Sequence, residues 1–195
     1  MRTLVAFVAF ALVGTVSPGP NNTLLWASGM RFGFRRTLPH VIGTAIGMGA
    51  LVVGVAAGIG AILDAVPAAE TALKVVGSAY LLYVAYHILG GGPVGASDIS
   101  QPLSFRQGLA FQWVNPKAWV FSVSAVGAFL PPTLPRPAGV AVICVTLMVI
   151  VVGSASAWAA GGAGLGRFVE DERTRRTINV VLAILLVASV ALIWI

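Results

Sequence analysis

Polar positions interrupt this apolar chain in two kinds of place. Between apolar runs, they mark off six segments at about 3 to 29, 40 to 63, 69 to 90, 107 to 130, 138 to 160 and 176 to 195. Each is long enough to cross a bilayer as a helix, which needs about 20 predominantly apolar residues. The second and third segments are parted by "LDAVPAAE" and the fourth and fifth by "PPTLPRP", both tight turns. Longer hydrophilic connectors lie at 31–39, 91–106 and 166–176.

The second kind of interruption falls inside a run. "SPGPNN", Ser17 to Asn22, sits in the first segment, and "VNPK", Val114 to Lys117, sits in the fourth. Proline removes a backbone donor and clashes with the preceding turn, so neither helix can run straight through. The pattern predicts a first half-helix ending near Thr15 or Val16 and a second starting at Pro20, where a missing N–H costs nothing. Asn115-Pro116 reads likewise as an N-cap followed by a first-turn proline. Non-helical backbone at membrane depth is tolerated only against protein or a wet cavity, so polar groups must meet both breaks.

Each broken helix is the first of its group of three, and laying "PGPN" on "VNPK" aligns Pro20 with Pro116. Three is odd, so the second group enters the membrane in the opposite sense. The expected fold is an all-α integral membrane protein of six transmembrane helices, arranged as two inverted three-helix repeats with helices 1 and 4 broken. It forms one domain over 1–195: repeat one at about 1–90, a linker at about 91–104 and repeat two at about 105–195. Matching breaks in two halves point to a transporter's binding site.

Composition agrees. The chain is 58% hydrophobic and 9% charged, with mean hydropathy +0.95, against about a quarter charged for soluble domains. The N-terminal run imitates a secretory signal but has no clear cleavage site before Ser17, and reads as the first helix. The net charge of +6 does not suggest nucleic acid, because the basic residues flank apolar runs and form no basic stripe with aromatics. Arg31, Arg35, Arg36, Arg106, Arg167, Arg173, Arg175 and Arg176 fall on one side of a six-span arrangement, with only Arg2 and Arg136 opposite. The positive-inside bias then makes the connectors at 31–39, 91–106 and 166–176 cytoplasmic and both termini external. Cys144 is the single cysteine, which excludes an intrachain disulfide and a cysteine-ligated metal site. No cofactor or metal is expected.

The chemistry at the breaks suits a zwitterion. Half-helix N-termini at Pro20 and Pro116, with the Lys117 ammonium, favour a carboxylate, and Asn21, Asn22 and Asn115 offer donors and acceptors that could take an ammonium. Lys74, about a turn inside helix 3 with Glu70 four residues before it, either serves coupling or gating or pairs with Glu70 or Asp64 and snorkels to the outer interface. His40 and His87 read as interfacial, Gly43, Gly47, Gly54 and Gly58 as packing positions, and Trp113 as a candidate for stacking on substrate.

"SPGPNN", "KVVGSAYLLYVAYHIL" and "FRQGLAFQWVNPKAWVFSV" together resemble the lysine exporter and homoserine/threonine resistance (LysE/RhtB) family over essentially the whole chain. The resemblance implies a six-helix inner-membrane exporter of amino acids or related metabolites, driven by the proton gradient and dimeric. Its motif positions fall on Pro18, Gly19, Pro20, Asn21, Lys74, Gly77, Tyr80, Asn115, Pro116 and Lys117. The expected function is therefore secondary transport by alternating access, with substrate at Pro18, Gly19, Pro20, Asn21, Asn22, Asn115, Pro116 and Lys117. Lys74, Glu70, Asp64 and Tyr80 are the candidates for coupling or gating. The competing classes are a structural or assembly subunit and a membrane enzyme; for the latter the sequence offers no histidine-rich motif or paired carboxylates.

Overall fold

The computed structural model describes residues 2–58, 67–89, 101–166 and 172–193. Among these residues every regular element is an α-helix. They are α1 (Arg2–Val16), α2 (Pro20–Phe32), α3 (Phe34–Ala56), α4 (Pro67–Leu89), α5 (Phe105–Val114), α6 (Pro116–Phe129), α7 (Arg136–Gly166) and α8 (Glu172–Ile193). Helices α3 and α7 are each long and apolar enough to cross a membrane, and α1 and α2 qualify together as one span bent by 56° at the first break. Outward-facing side chains on α1, α7 and α8 include apolar Val5, Val149 and Ile184, each more than half exposed, as a lipid-facing surface requires.

Helices α3 and α7 form a central pair. The α1–α2 span packs chiefly on α7, the α5–α6 span chiefly on α3, and α4 and α8 pair with each other beside them. One core cluster joins α1, α3, α6 and α7 through Phe7, Leu51, Phe121 and Leu147; a second joins α2, α4, α5 and α8 through Leu24, Leu81, Phe111 and Leu186.

Four helix boundaries differ from the sequence expectation, each for an identifiable physical reason. The connector expected at 31–39 shrinks to Gly33, because α3 begins at Phe34 and carries Pro39 inside it. Gly33 makes this corner with φ of +81°, which a residue bearing a Cβ adopts only with strain. Helix α5 starts at Phe105 rather than 107 because "SFRQ" is a capping box: Gln107 N donates to Ser104 Oγ at 3.3 Å, and Ser104 N donates to Gln107 Oε1 at 2.9 Å. Helix α7 runs on to Gly166, past the expected end at about 160, through Gly161, Gly162, Gly164 and Gly166. Tertiary packing overrides their poor propensity, since Gly162 lies against the Trp26 carbonyl and Gly166 against that of Met30, with no space for a side chain. Helix α3 ends at Ala56, short of the expected 63, and Arg136 Nη2 donates to the Ala56 carbonyl at 3.0 Å.

Candidate functional site

The first break runs from Ser17 to Gly19. Its backbone is extended at Gly19, and α2 begins with Pro20 at the first helical position. Interrupting the helix frees the carbonyls of Thr15 to Pro18, and each finds a side-chain donor. Asn22 Nδ2 donates to Thr15 O at 2.7 Å and to Ser17 O at 2.9 Å. Ser154 Oγ, from α7, donates to Thr15 O at 2.8 Å, and Trp158 Nε1 donates to Val16 O at 3.2 Å. The Lys117 ammonium completes the set from α6, donating to Ser17 O and Ser17 Oγ at 2.8 Å each and to Pro18 O at 3.2 Å. A cation on the carbonyl end of a half-helix is the favourable polarity.

The second break is a single residue. Asn115 is extended, at φ −93° and ψ 106°, between the end of α5 at Val114 and the start of α6 at Pro116. It is the N-cap of α6 by position, but its side chain makes no capping bond; Nδ2 instead donates to Gln112 Oε1 at 3.4 Å. Its Oδ1 is buried without a partner.

A buried polar cluster ties the two breaks together. Asn21 Oδ1 accepts from Gln112 Nε2 at 3.1 Å, from Thr44 Oγ1 at 3.2 Å and from His40 Nε2 at 3.3 Å. His40 is fully buried, packed on Gly108, and not interfacial as its place near a span end suggested. The α3 backbone explains it: starting the helix at Phe34 draws His40 and Thr44, four residues apart and hence on one face, to the level of Asn21.

Between the breaks lies a cavity of about 50 Å³. On that measure it holds about three to five waters. Its polar lining is Thr15, Asn21, Asn22, Thr44, Gln112, Asn115, Lys117 and Ser154, with Met48, Phe121 and Val151 among its apolar walls. Among the described residues, the lining contains one cationic side chain and no carboxylate.

The expected residues Gly19, Asn21, Asn22, Asn115 and Lys117 thus meet at one cavity. Pro18, Pro20 and Pro116 instead line a larger cleft of about 660 Å³ on the α1–α6 side. Lys74 and Tyr80, both on α4, line neither; Tyr80 packs on the Phe111 ring at 5.4 Å. Glu70 lies on α4 with its side chain outside the described portion, and Asp64 and the His87 ring fall outside it too. Gly77 serves packing, bringing α4 against the Val114 carbonyl next to the second break. Trp113 is not part of the cavity lining; its ring sits edge-on to that of Trp119 at 6.0 Å, and its carbonyl accepts from Trp119 Nε1 at 2.8 Å. Sequence reasoning missed Thr44, Gln112 and Ser154. The signal was available, because Gln112 precedes Asn115 by three and each is a polar residue within an apolar run. Among the described residues no cluster of metal-ligating side chains occurs.

Comparison with known proteins supplies the class. The LysE type translocator family matches residues 12–193. The cysteine/O-acetylserine efflux protein of Escherichia coli (strain K12) is 31% identical over 184 residues, covering 94% of this chain and 93% of the relative. The proteins of that name from Shigella flexneri and Shigella sonnei (strain Ss046) match to the same extent. No solved structure matches. A bent apolar span, polar side chains gathered at two breaks, and a family match over nearly the whole length agree: this chain is a multi-pass membrane transporter rather than an enzyme, and it belongs to the LysE type translocator family.

Proposed function

We propose that this protein exports a small, net-neutral amino acid across the cytoplasmic membrane, by alternating access around the cavity between its two helix breaks. The observation that carries the reading is the pairing, in one cavity, of the Lys117 ammonium with the unpartnered Asn115 Oδ1. A substrate carboxylate is served by Lys117 and the N-terminus of α2. Its ammonium is served by Asn115 Oδ1, since the corresponding oxygen of Asn21 is already engaged by three donors. A substrate with a second positive charge, such as lysine, finds no anionic partner among the described lining residues, and an uncompensated buried charge is costly. The efflux relatives, named for cysteine and O-acetylserine, agree in size and charge.

Six spans in two inverted repeats are part of this proposal. The packing supports them, since the first broken span lies on α7 and the second on α3, the exchange that a two-fold relation between repeats predicts. The proposal also takes both termini as external, the chain as a homodimer and the proton gradient as the driving force.

Counterflow into proteoliposomes tests the reading. Vesicles loaded with unlabelled cysteine or O-acetylserine are expected to accumulate the labelled compound through the purified protein, and lysine is expected not to compete. Absence of counterflow with every small neutral amino acid, or equal competition by lysine, would overturn it.

A further inference from the structure

The inner cavity and the α1–α6 cleft are separate spaces with four residues in common, Gly14, Gly19, Lys117 and Phe121. These four make two pairs, each a glycine of the first broken span under a long side chain of α6. A Cβ on Gly14 would overlap the Phe121 ring, and one on Gly19 would come within 2.9 Å of Lys117 Cδ. Bare backbone at both positions is what allows the two side chains to close on it. The Phe121 ring is also stacked on Phe10, one turn before Gly14 on the same helix, at 4.4 Å between centroids.

The far side of the cavity is built differently. There helix backbones meet directly, with Gly43 against the Phe105 carbonyl, Gly47 against that of Leu109 and Gly29 against that of Ala159. Opening that seam requires moving whole helices, a microsecond-to-millisecond event, whereas the ring and the ammonium leave their seats by side-chain rotation alone.

We propose that Phe121, seated on Gly14 beside the Lys117–Gly19 pair, is the partition between cavity and cleft and sets the size of the amino acid that passes. The proposal rests on the transport reading for its substrate, but its geometry stands apart from it. Lys117 is held across the break by three acceptors, so a carboxylate reaching it from the cavity competes with Ser17 and Pro18 for the ammonium and loosens one half of the partition. Phe121 is the other half. While the ring stays down, the cavity fits only a few waters' worth of side chain; a substrate passes when its own side chain can slip under or displace the ring.

The test uses a reporter thiol, Ala155→Cys in the cavity wall, with the one native cysteine removed by Cys144→Ser. Labelling by a small membrane-impermeant methanethiosulfonate is followed in vesicles of both orientations. Loss of one aromatic stacking partner corresponds to a shift of up to about tenfold in the open fraction. Adding Phe121→Ala is therefore expected to raise the labelling rate about tenfold from the cleft side only. Gly14→Ala, which unseats the ring from the opposite helix, is expected to do the same. In counterflow, Phe121→Ala is expected to admit leucine and phenylalanine, and Phe121→Leu leucine alone. Unchanged labelling in both Phe121→Ala and Gly14→Ala, or acceleration equal from both sides, would overturn the partition. So would unchanged selectivity of variants that transport. Faster labelling in a protein that moves no amino acid would uphold the partition and defeat the transport reading instead.

Discussion

The Lys117 ammonium donates at 2.8 Å to the carbonyl of Ser17, a residue 100 positions earlier in the chain. This bond joins the two helix breaks and gives the lysine a role before any substrate arrives. It neutralises the carbonyl end of α1 and supplies donors to groups that hydrocarbon could not satisfy.

Removing that donor leaves Ser17 O with Asn22 alone and Pro18 O without its side-chain donor. Lys117→Ala is expected to abolish efflux and to destabilise the protein by about 1–3 kcal/mol, the cost of stranding buried acceptors. Asn115→Ala is expected to abolish efflux with a smaller stability change, because its Oδ1 has no partner to lose. Thermal unfolding in detergent, beside efflux from cells in which membrane insertion is verified, separates the two. Normal efflux by both variants would remove the paired-break site.

Asn22 acts through its amide N–H groups, which bridge Thr15 O and Ser17 O. Asn22→Asp keeps the shape but replaces donors by acceptors facing two carbonyls. It is expected to cost more stability than Asn22→Ala, which itself loses about 1–3 kcal/mol. Equal unfolding temperatures for the two variants would contradict this account.

Asn21 Oδ1 is the shared acceptor of His40, Thr44 and Gln112. Asn21→Leu strips all three of it at once and is expected to destabilise by about 2 kcal/mol or more. A double-mutant cycle with Thr44→Val should then show strong coupling, because the second substitution removes a donor already stranded. Additive effects would mean the cluster carries little energy.

Glycines of α7 divide sharply by what faces them. Gly162→Ala drives a methyl into the Trp26 backbone carbonyl and is expected to lower stability by about 1–3 kcal/mol. Gly153→Ala meets nothing within 4 Å and is expected to be neutral or to gain up to about 1 kcal/mol from helix propensity. Unfolding temperatures of the two single variants decide it.

Much of this architecture is written locally. Pro20 and Pro116 cannot continue a helix, so the breaks at Ser17–Gly19 and at Asn115 follow from residue type alone, and the half-helices start where proline is tolerated. Runs of apolar residues mark where helices such as α3 and α7 lie for the same reason of local chemistry. Those runs do not fix helix ends: α7 keeps its terminal glycines helical because α2 lies against them, a fact about another part of the chain.

The site divides the same way. Lys117, Asn21, Asn22 and Asn115 stand out in the sequence because polar groups in hydrocarbon need a reason. Their partners do not. Which carbonyls Lys117 caps, that Asn21 gathers three donors from two helices, and that Phe121 closes on Gly14 depend on which helix faces are brought together, and the sequence carries no distance between segments a hundred residues apart. Residue chemistry determined that the membrane segments must break and that something polar must answer them; only helix packing decided that the answer comes largely from the protein's own side chains, because a hydrogen bond is a matter of a few tenths of an ångström that only tertiary contact can set.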